Sequence, residues 1–150
     1  MPSLLLTKQI AAPPEVVFDT ITDHGSYPDF TPIRKAVLER PGDEAPNGVG
    51  AIRALHVAGP PIRERVTAYE RPSVFSYEVL SGVPVKSQVG TVTIEAAGDG
   101  CVMRYALEIE PKLPLTGALA GFVTRQAIGR LMDGVAREAE SRAAAAPAAV

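Results

Sequence analysis

The sequence contains no tryptophan and a single cysteine, Cys101, and aromatic residues make up only 5% of its 150 residues. One cysteine excludes an internal disulfide and a zinc site built from thiolates, and it is typical of proteins in a reducing compartment. No apolar run approaches the roughly 20 residues of a membrane-spanning helix, and the N-terminus lacks the basic region of a signal peptide. We therefore expect a cytoplasmic protein without integral membrane association.

The sequence also has no excess of positive charge. Fifteen basic and seventeen acidic residues give a formal net charge of −2, and no run of Lys or Arg forms a stripe. Binding to a nucleic-acid backbone depends on such clustered positive charge, so we expect no nucleic-acid partner. The two histidines, His24 and His56, have no Glu or Cys at ligand spacing. The sequence therefore predicts no metal site, and we expect no cofactor.

What the sequence does contain is the composition of one globular domain. Apolar residues make up 46% and charged residues 21% of the chain. A compact chain of this length buries about 68–70% of the surface that its unfolded form exposes. The sequence therefore predicts a single domain over residues 1–144, with a core that needs neither metal nor disulfide. Residues 145–150 are Ala-rich, and we expect this tail to fray.

Short apolar runs separated by turn residues predict an antiparallel sheet. The turns contain Gly or Pro and recur about every dozen residues, as in β-meanders, and no alternation of strands with helices indicates a parallel sheet. A first strand over 3–11 ends at two prolines, and a short helix follows through residue 22. The segment 26–32 is a second helical turn or a packed loop. The other predicted strands lie near 33–40, 50–57, 62–70, 74–80, 88–96 and 101–110.

A long amphipathic helix is predicted at the C-terminal end. From about Leu115 to Ala144 there is no proline, and apolar residues recur at helical spacing. Gly117, Gly121 and Gly129 weaken this helix by roughly 1 kcal/mol each relative to alanine. We expect these glycines to permit close backbone packing or to leave room for a ligand.

Several short segments together carry a resemblance to a known superfamily. They are Ile10-Ala11-Ala12-Pro13-Pro14-Glu15-Val16-Val17-Phe18-Asp19, Tyr27-Pro28-Asp29-Phe30, Val49-Gly50-Ala51-Ile52-Arg53, Glu64-Arg65-Val66, Phe75-Ser76-Tyr77-Glu78-Val79 and the C-terminal helix. In their order and spacing they resemble the START/birch-allergen helix-grip superfamily (SRPBCC), especially its bacterial polyketide cyclase/dehydrase-like branch. The resemblance implies an α+β fold in which a seven-stranded curved antiparallel sheet, two short helices and one long C-terminal helix enclose a cavity. It implies ligand binding more strongly than any particular reaction.

Strand alternation places one carboxylate among inward-facing apolar side chains. Residues two apart on a strand face the same way, so Glu64 shares a face with Val66. A carboxylate on such a face is costly unless it is paired or hydrogen-bonded. Arg53, which shares its face with Leu55, is the predicted partner because the tight connection at 58–61 puts residues 53 and 64 roughly level. A half-exposed structural ion pair is an equally weighted alternative.

The resemblance adds a role to this pair. The lachrymatory-factor synthase and abscisic-acid receptor relatives have a similar Arg and Glu on these two strands. The likeness implies proton transfer in the first case and the polar end of a ligand pocket in the second. The receptors close a loop over their ligand, whereas this chain has the stiffer Ala58-Gly59-Pro60-Pro61 there, which argues against a large gating motion.

Three functions stay open at this point. The first is binding of a hydrophobic small molecule, lipid-like or polyketide-like, in a cavity lined by Arg53, Leu55, Glu64, Val66, Phe75, Tyr77, Met103, Tyr105, Leu119, Phe122 and Val123. The second is a polyketide cyclase/dehydrase-type enzyme with Glu64 as general acid or base and Arg53 as oxyanion stabiliser. The third is a regulatory or co-chaperone-type interaction module, which requires a filled core and an exposed apolar patch. Monomer and homodimer are both compatible with the sequence.

Overall fold

The computed structural model describes residues 3–112 and 117–145, with the side chains of 117–120 left out. Within that part of the chain, seven strands form one antiparallel sheet in the order β1-β7-β6-β5-β4-β3-β2. They are β1 (Ser3–Ile10), β2 (Lys35–Arg40), β3 (Ile52–His56), β4 (Ile62–Glu70), β5 (Val74–Ser81), β6 (Val85–Ala97) and β7 (Gly100–Pro111). The helices are α1 (Pro14–Ile21), α2 (Tyr27–Phe30) and α3 (Gly117–Ala145), with a 3₁₀ turn at His24–Ser26.

The predicted α+β helix-grip fold is confirmed, and the differences lie at element boundaries. Strand β6 begins at Val85, three residues before its predicted start at 88, because Val85 still pairs with Pro111 at the end of β7. Pro14 occupies the first turn of α1, where its missing N–H removes no helical hydrogen bond. Among the described helices, none combines the length and hydropathy that a membrane span needs.

The C-terminal half of α3 packs closely against the rest of the molecule. Val135 and Ala139 are fully buried in a core shared with α1 and the sheet. Gly134 allows a near approach to α2, because a Cβ at this position would collide with the carbonyl oxygen of Phe30. Three surface contacts also hold this half of α3. Asp133 forms an ion pair with Lys8 at 2.7 Å, Arg142 forms one with Asp23 at 2.9 Å, and Glu140 accepts a hydrogen bond from the Ala11 amide at 2.9 Å.

The N-terminal half of α3 is exposed instead. Between residues 121 and 127 every described side chain is partly or fully exposed, and Phe122 and Val123 keep 62% and 57% of their surface accessible. The helix therefore packs against the sheet and α1 along one half only. The other half is left free to border an open space.

Two leucines on neighbouring strands should differ greatly in how much each stabilises the fold. Leu107 of β7 is fully buried, whereas Leu5 of β1 is 58% exposed. We expect Leu107→Ala to lower the free energy of unfolding by about 2–5 kcal/mol and Leu5→Ala to change it by less than about 0.5 kcal/mol. Urea unfolding followed by circular dichroism measures both. Similar losses in the two variants would contradict this assignment of the core.

Candidate ligand-binding cavity

A cavity of about 340 Å³ lies between the sheet and the exposed half of α3. This volume is within the range of small-molecule sites, about 300–1,000 Å³. Its apolar lining comprises Ile21, Pro32, Ile33, Leu55, Val57, Ile62, Phe75, Val83, Val92, Val123, Ala127, Ile128 and Leu131. The polar groups that line it are His24, Tyr27, Glu64, Tyr77, Gln88, Tyr105, Thr124 and Arg130.

Glu64 projects into this cavity from β4. It lies opposite Arg53 of β3 and Val79 of β5 in the register of the sheet, so the predicted level of residues 53 and 64 is confirmed. Burial raises the pKa of Glu64 to about 8, and the positive charge of Arg53 only partly opposes this effect. Within the described chain, no hydrogen bond or ion pair holds the carboxyl group. At neutral pH it is therefore mainly a protonated acid that faces apolar surroundings.

Arg53 is buried behind the cavity, not along its wall. Only 3% of its surface is accessible, and its guanidinium donates a hydrogen bond to Asn47 Oδ1. Its Nε atom has no partner among the described residues. Arg53 and Glu64 form no ion pair within 4 Å there, so the positive charge reaches Glu64 through space. Burial also lowers the pKa of Arg53 itself.

His24 lines the cavity, although the sequence did not predict it as a binding residue. The ring lies 4.8 Å from Tyr27 and 5.5 Å from Phe75, centroid to centroid. Its Nδ1 is 2.9 Å from the Thr22 carbonyl oxygen; because a carbonyl only accepts, Nδ1 carries the proton and Nε2 has the free lone pair. Burial and then the charge of Arg53 hold the pKa of His24 well below its usual range. The imidazole is thus a neutral hydrogen-bond acceptor.

Three tyrosines complete the polar part of the site. The hydroxyls of Tyr77 and Tyr105 are hydrogen-bonded to each other, and the Tyr27 hydroxyl donates to the Ile21 carbonyl oxygen. Burial raises the pKa of each tyrosine well above its usual value. Gly90 gives Tyr77 its position, because a Cβ there would lie 2.5 Å from two ring carbons. These hydroxyls are therefore fixed, neutral groups.

Six of the eleven predicted binding residues line the cavity, and the other five do not or lie outside the described side chains. Leu55, Glu64, Phe75, Tyr77, Tyr105 and Val123 line the cavity. Arg53 and Met103 come two residues before Leu55 and Tyr105 on β3 and β7, and Val66 comes two residues after Glu64 on β4. Because β4 runs antiparallel to β3 and β7, all three lie toward the same end of the sheet, where they are buried and outside the cavity lining. Phe122 points outward on α3 and is exposed. The side chain of Leu119 lies outside the described residues.

Two polar residues that shape the site were missed for identifiable reasons. His24 follows α1 in a 3₁₀ turn, and a turn has no periodicity from which to infer which way a side chain faces. Gln88 lies on β6, at the predicted start of that strand. Among the described residues no group of three His, Cys, Asp or Glu side chains is arranged to hold a metal ion.

Solved structures with the same architecture include proteins of varied origin. Norcoclaurine synthase from Thalictrum flavum, in complex with a transition-state analogue, superposes with a TM-score of 0.76 at 15% identity, over 94% of this chain and 95% of the synthase. A START superfamily protein from Mycobacterium smegmatis gives 0.70 at 18% identity, over 95% and 97% of the two chains. Ara h 8.0201 gives 0.76 at 15% identity, over 93% and 98%. At these identities the likeness establishes the fold.

A search of curated protein sequences gave no match. The family model described as "polyketide cyclase / dehydrase and lipid transport" matches residues 1–145. This match spans nearly the whole chain and agrees with the architecture and the apolar cavity described above. The chain belongs to the polyketide cyclase/dehydrase and lipid transport family within the SRPBCC proteins.

Proposed function

We propose that the cavity binds a small, mainly apolar molecule, lipid-like or polyketide-like, whose polar end lies against Glu64. The observation that carries this proposal is a carboxyl group in an apolar cavity with no partner among the described residues. When an apolar ligand excludes water from the cavity, a polar group left without a hydrogen bond costs about 1–3 kcal/mol. A ligand hydroxyl or carbonyl oxygen at this point would remove that penalty.

The protonation state of the site favours a neutral ligand. With a pKa of about 8, Glu64 presents an O–H donor at neutral pH, while His24 Nε2 is an acceptor. A molecule with a carbonyl or ether oxygen and a hydroxyl group satisfies both. A ligand carboxylate placed against Glu64 gains less, because Arg53 is separated from the cavity and bonded to Asn47.

Occupancy of the cavity is tested with a blocking variant. Leu55 lies on the cavity wall, whereas Leu5 lies on β1 outside the lining and is 58% exposed. We expect Leu55→Trp to lower the affinity for the neutral fluorescent probe N-phenyl-1-naphthylamine at least about tenfold, which corresponds to 1.4 kcal/mol. Leu5→Trp is the matched control and should bind as the wild type does. Equal affinities of all three proteins would place the probe elsewhere.

The raised pKa of Glu64 predicts a particular dependence of stability on pH. The folded protein holds this proton up to about pH 8, whereas an ordinary glutamate loses it near 4.5. The folded state therefore binds more protons than the unfolded chain in this window, and its stability falls as pH rises. Relative to Glu64→Gln, we expect the wild type to lose on the order of 2–4 kcal/mol between these pH values.

The measurement is urea unfolding of both proteins across that pH range. His24 and the tyrosines are present in both variants, so their own titration largely cancels in the difference. A wild-type stability that runs parallel to that of Glu64→Gln at every pH would mean that Glu64 titrates normally.

An enzyme is the second candidate function, favoured by the opposite protonation of two groups in one cavity. Glu64 is a protonated carboxyl and His24 a neutral imidazole, an arrangement suited to acid and base roles. With a ketone bound, His24 Nε2 would take a proton from the carbon next to the carbonyl. The C–H electron pair would form the enol double bond as Glu64 transfers its proton to the carbonyl oxygen. Arg53 would act on both groups through its charge, instead of contacting an oxyanion.

Exchange of ketone α-protons for deuterium tests this candidate. Acetophenone in D₂O, followed by proton NMR, is a probe small enough for the cavity. We expect Glu64→Gln and His24→Gln each to slow the protein-catalysed exchange by about 10²–10⁴-fold, with N-phenyl-1-naphthylamine binding retained as proof of an intact cavity. No acceleration by the wild type, or unchanged rates in both variants, would leave binding as the function.

The interaction-module hypothesis receives less support. It required a filled core, whereas this domain has a cavity of about 340 Å³. An exposed apolar patch does occur at the cavity mouth, and it supports a different inference.

A further inference from the structure

The mouth of the cavity has an unusual distribution of charge. Four segments border it, at 32–35, 57–62, 80–86 and 121–130, and each includes a residue of the cavity lining. None of the seventeen acidic residues of the chain lies in these segments. Their five basic residues are Arg34, Lys35, Lys86, Arg125 and Arg130. A protein with net charge −2 therefore concentrates positive charge around one opening.

These five cations are available to an external partner. All five are exposed, and none forms an ion pair within the described chain. The cations that do form ion pairs lie outside the four segments, and they are Lys8, Arg63, Arg65, Arg71, Arg104 and Arg142.

Four acidic residues lie near the rim, and none of them forms an ion pair with a rim cation within the described chain. Glu39 is bound to Arg63 at 2.8 Å. Asp133 is bound to Lys8 at 2.7 Å, and together with Asp29 it borders a shallow pocket that also includes Arg130. Glu110 lies on β7 opposite Ser87, next to Lys86 in the sheet. These carboxylates reduce the positive charge near Lys86 and Arg130, but the four segments of the rim still carry five cations and no acidic residue.

Exposed apolar side chains lie among these cations. Val57 and Val123 are 39% and 57% exposed while they also line the cavity, and Phe122 beside them is 62% exposed. Apolar groups surrounded by Lys and Arg are the composition of protein surfaces that lie in the interface of a bilayer. Each basic residue near an anionic membrane adds about 1 kcal/mol of attraction.

We propose that this rim docks peripherally on an anionic lipid bilayer, with Phe122, Val123 and Val57 in the headgroup region and the five cations against anionic headgroups. A bilayer fits better than an acidic protein partner because the cations are spread around an opening and have apolar side chains between them. In this orientation the cavity opens toward the apolar layer, so an apolar molecule can pass without crossing water. The docking does not depend on which molecule the cavity holds.

Vesicle co-sedimentation tests the proposal directly. The probes are vesicles of phosphatidylcholine alone and vesicles with about one-third phosphatidylglycerol, at about 0.05 M and about 0.5 M NaCl. We expect binding to the anionic vesicles at low salt and its loss at high salt. Absence of binding to anionic vesicles at low salt, or equal binding to both compositions, overturns the proposal, and the first result would leave an acidic protein as the alternative.

Matched variants locate the surface. Lys86→Gln and Arg125→Gln should each lower the partition coefficient about fivefold, and Phe122→Ser should lower it as well. The controls are Arg40→Gln, an exposed cation outside the rim at the far end of β2 and without an ion pair in the described chain, and Leu5→Ser, 58% exposed on β1. Both controls should bind as the wild type does. Equal losses in rim and control variants would show attraction without a defined docking surface.

Discussion

Helix α3 packs against the sheet and α1 along only one half of its length, and the rest of the structure depends on this constraint. Beyond about residue 128 the helix is fixed by a buried apolar face, by the close approach at Gly134, and by side-chain bonds to β1 and to the residues just before and after α1. Before that point it stands away from the sheet, and its exposed side chains border the cavity mouth. The packed C-terminal half of α3 stabilises the fold, and the N-terminal half leaves a cavity between helix and sheet that core side chains do not fill.

The electrostatics of the site follow from that geometry. Burial without a partner keeps Glu64 protonated, and burial with a positive charge nearby keeps His24 neutral. One guanidinium, that of Arg53, affects both groups in opposite senses: it favours the charged carboxylate and disfavours the charged imidazole. A substitution of Arg53 would therefore change both protonation equilibria while it removed no atom from the cavity lining.

The sequence predicts the fold well because strand alternation and turn spacing are local signals, and the tight β3–β4 connection sets Arg53 opposite Glu64. How far along a strand the cavity extends is not a local signal. Val66 and Met103 face the same side of the sheet as Glu64 and Tyr105 but lie beyond the cavity. Helical phase explains Phe122, since Val123 and Ala127 lie one turn apart on the cavity side. The basic rim does not show as a run of charge in the sequence because its cations come from segments that are far apart along the chain.

The most direct test of the central claim is native mass spectrometry of the purified protein, followed by denaturing extraction. A cavity with an unpaired carboxyl group should retain what it binds. The account predicts an added mass that is released on denaturation and belongs to a neutral, mainly apolar molecule with a hydroxyl or carbonyl group. A protein that carries no added mass and takes up no N-phenyl-1-naphthylamine would contradict it, because the space beneath α3 would then be filled in solution.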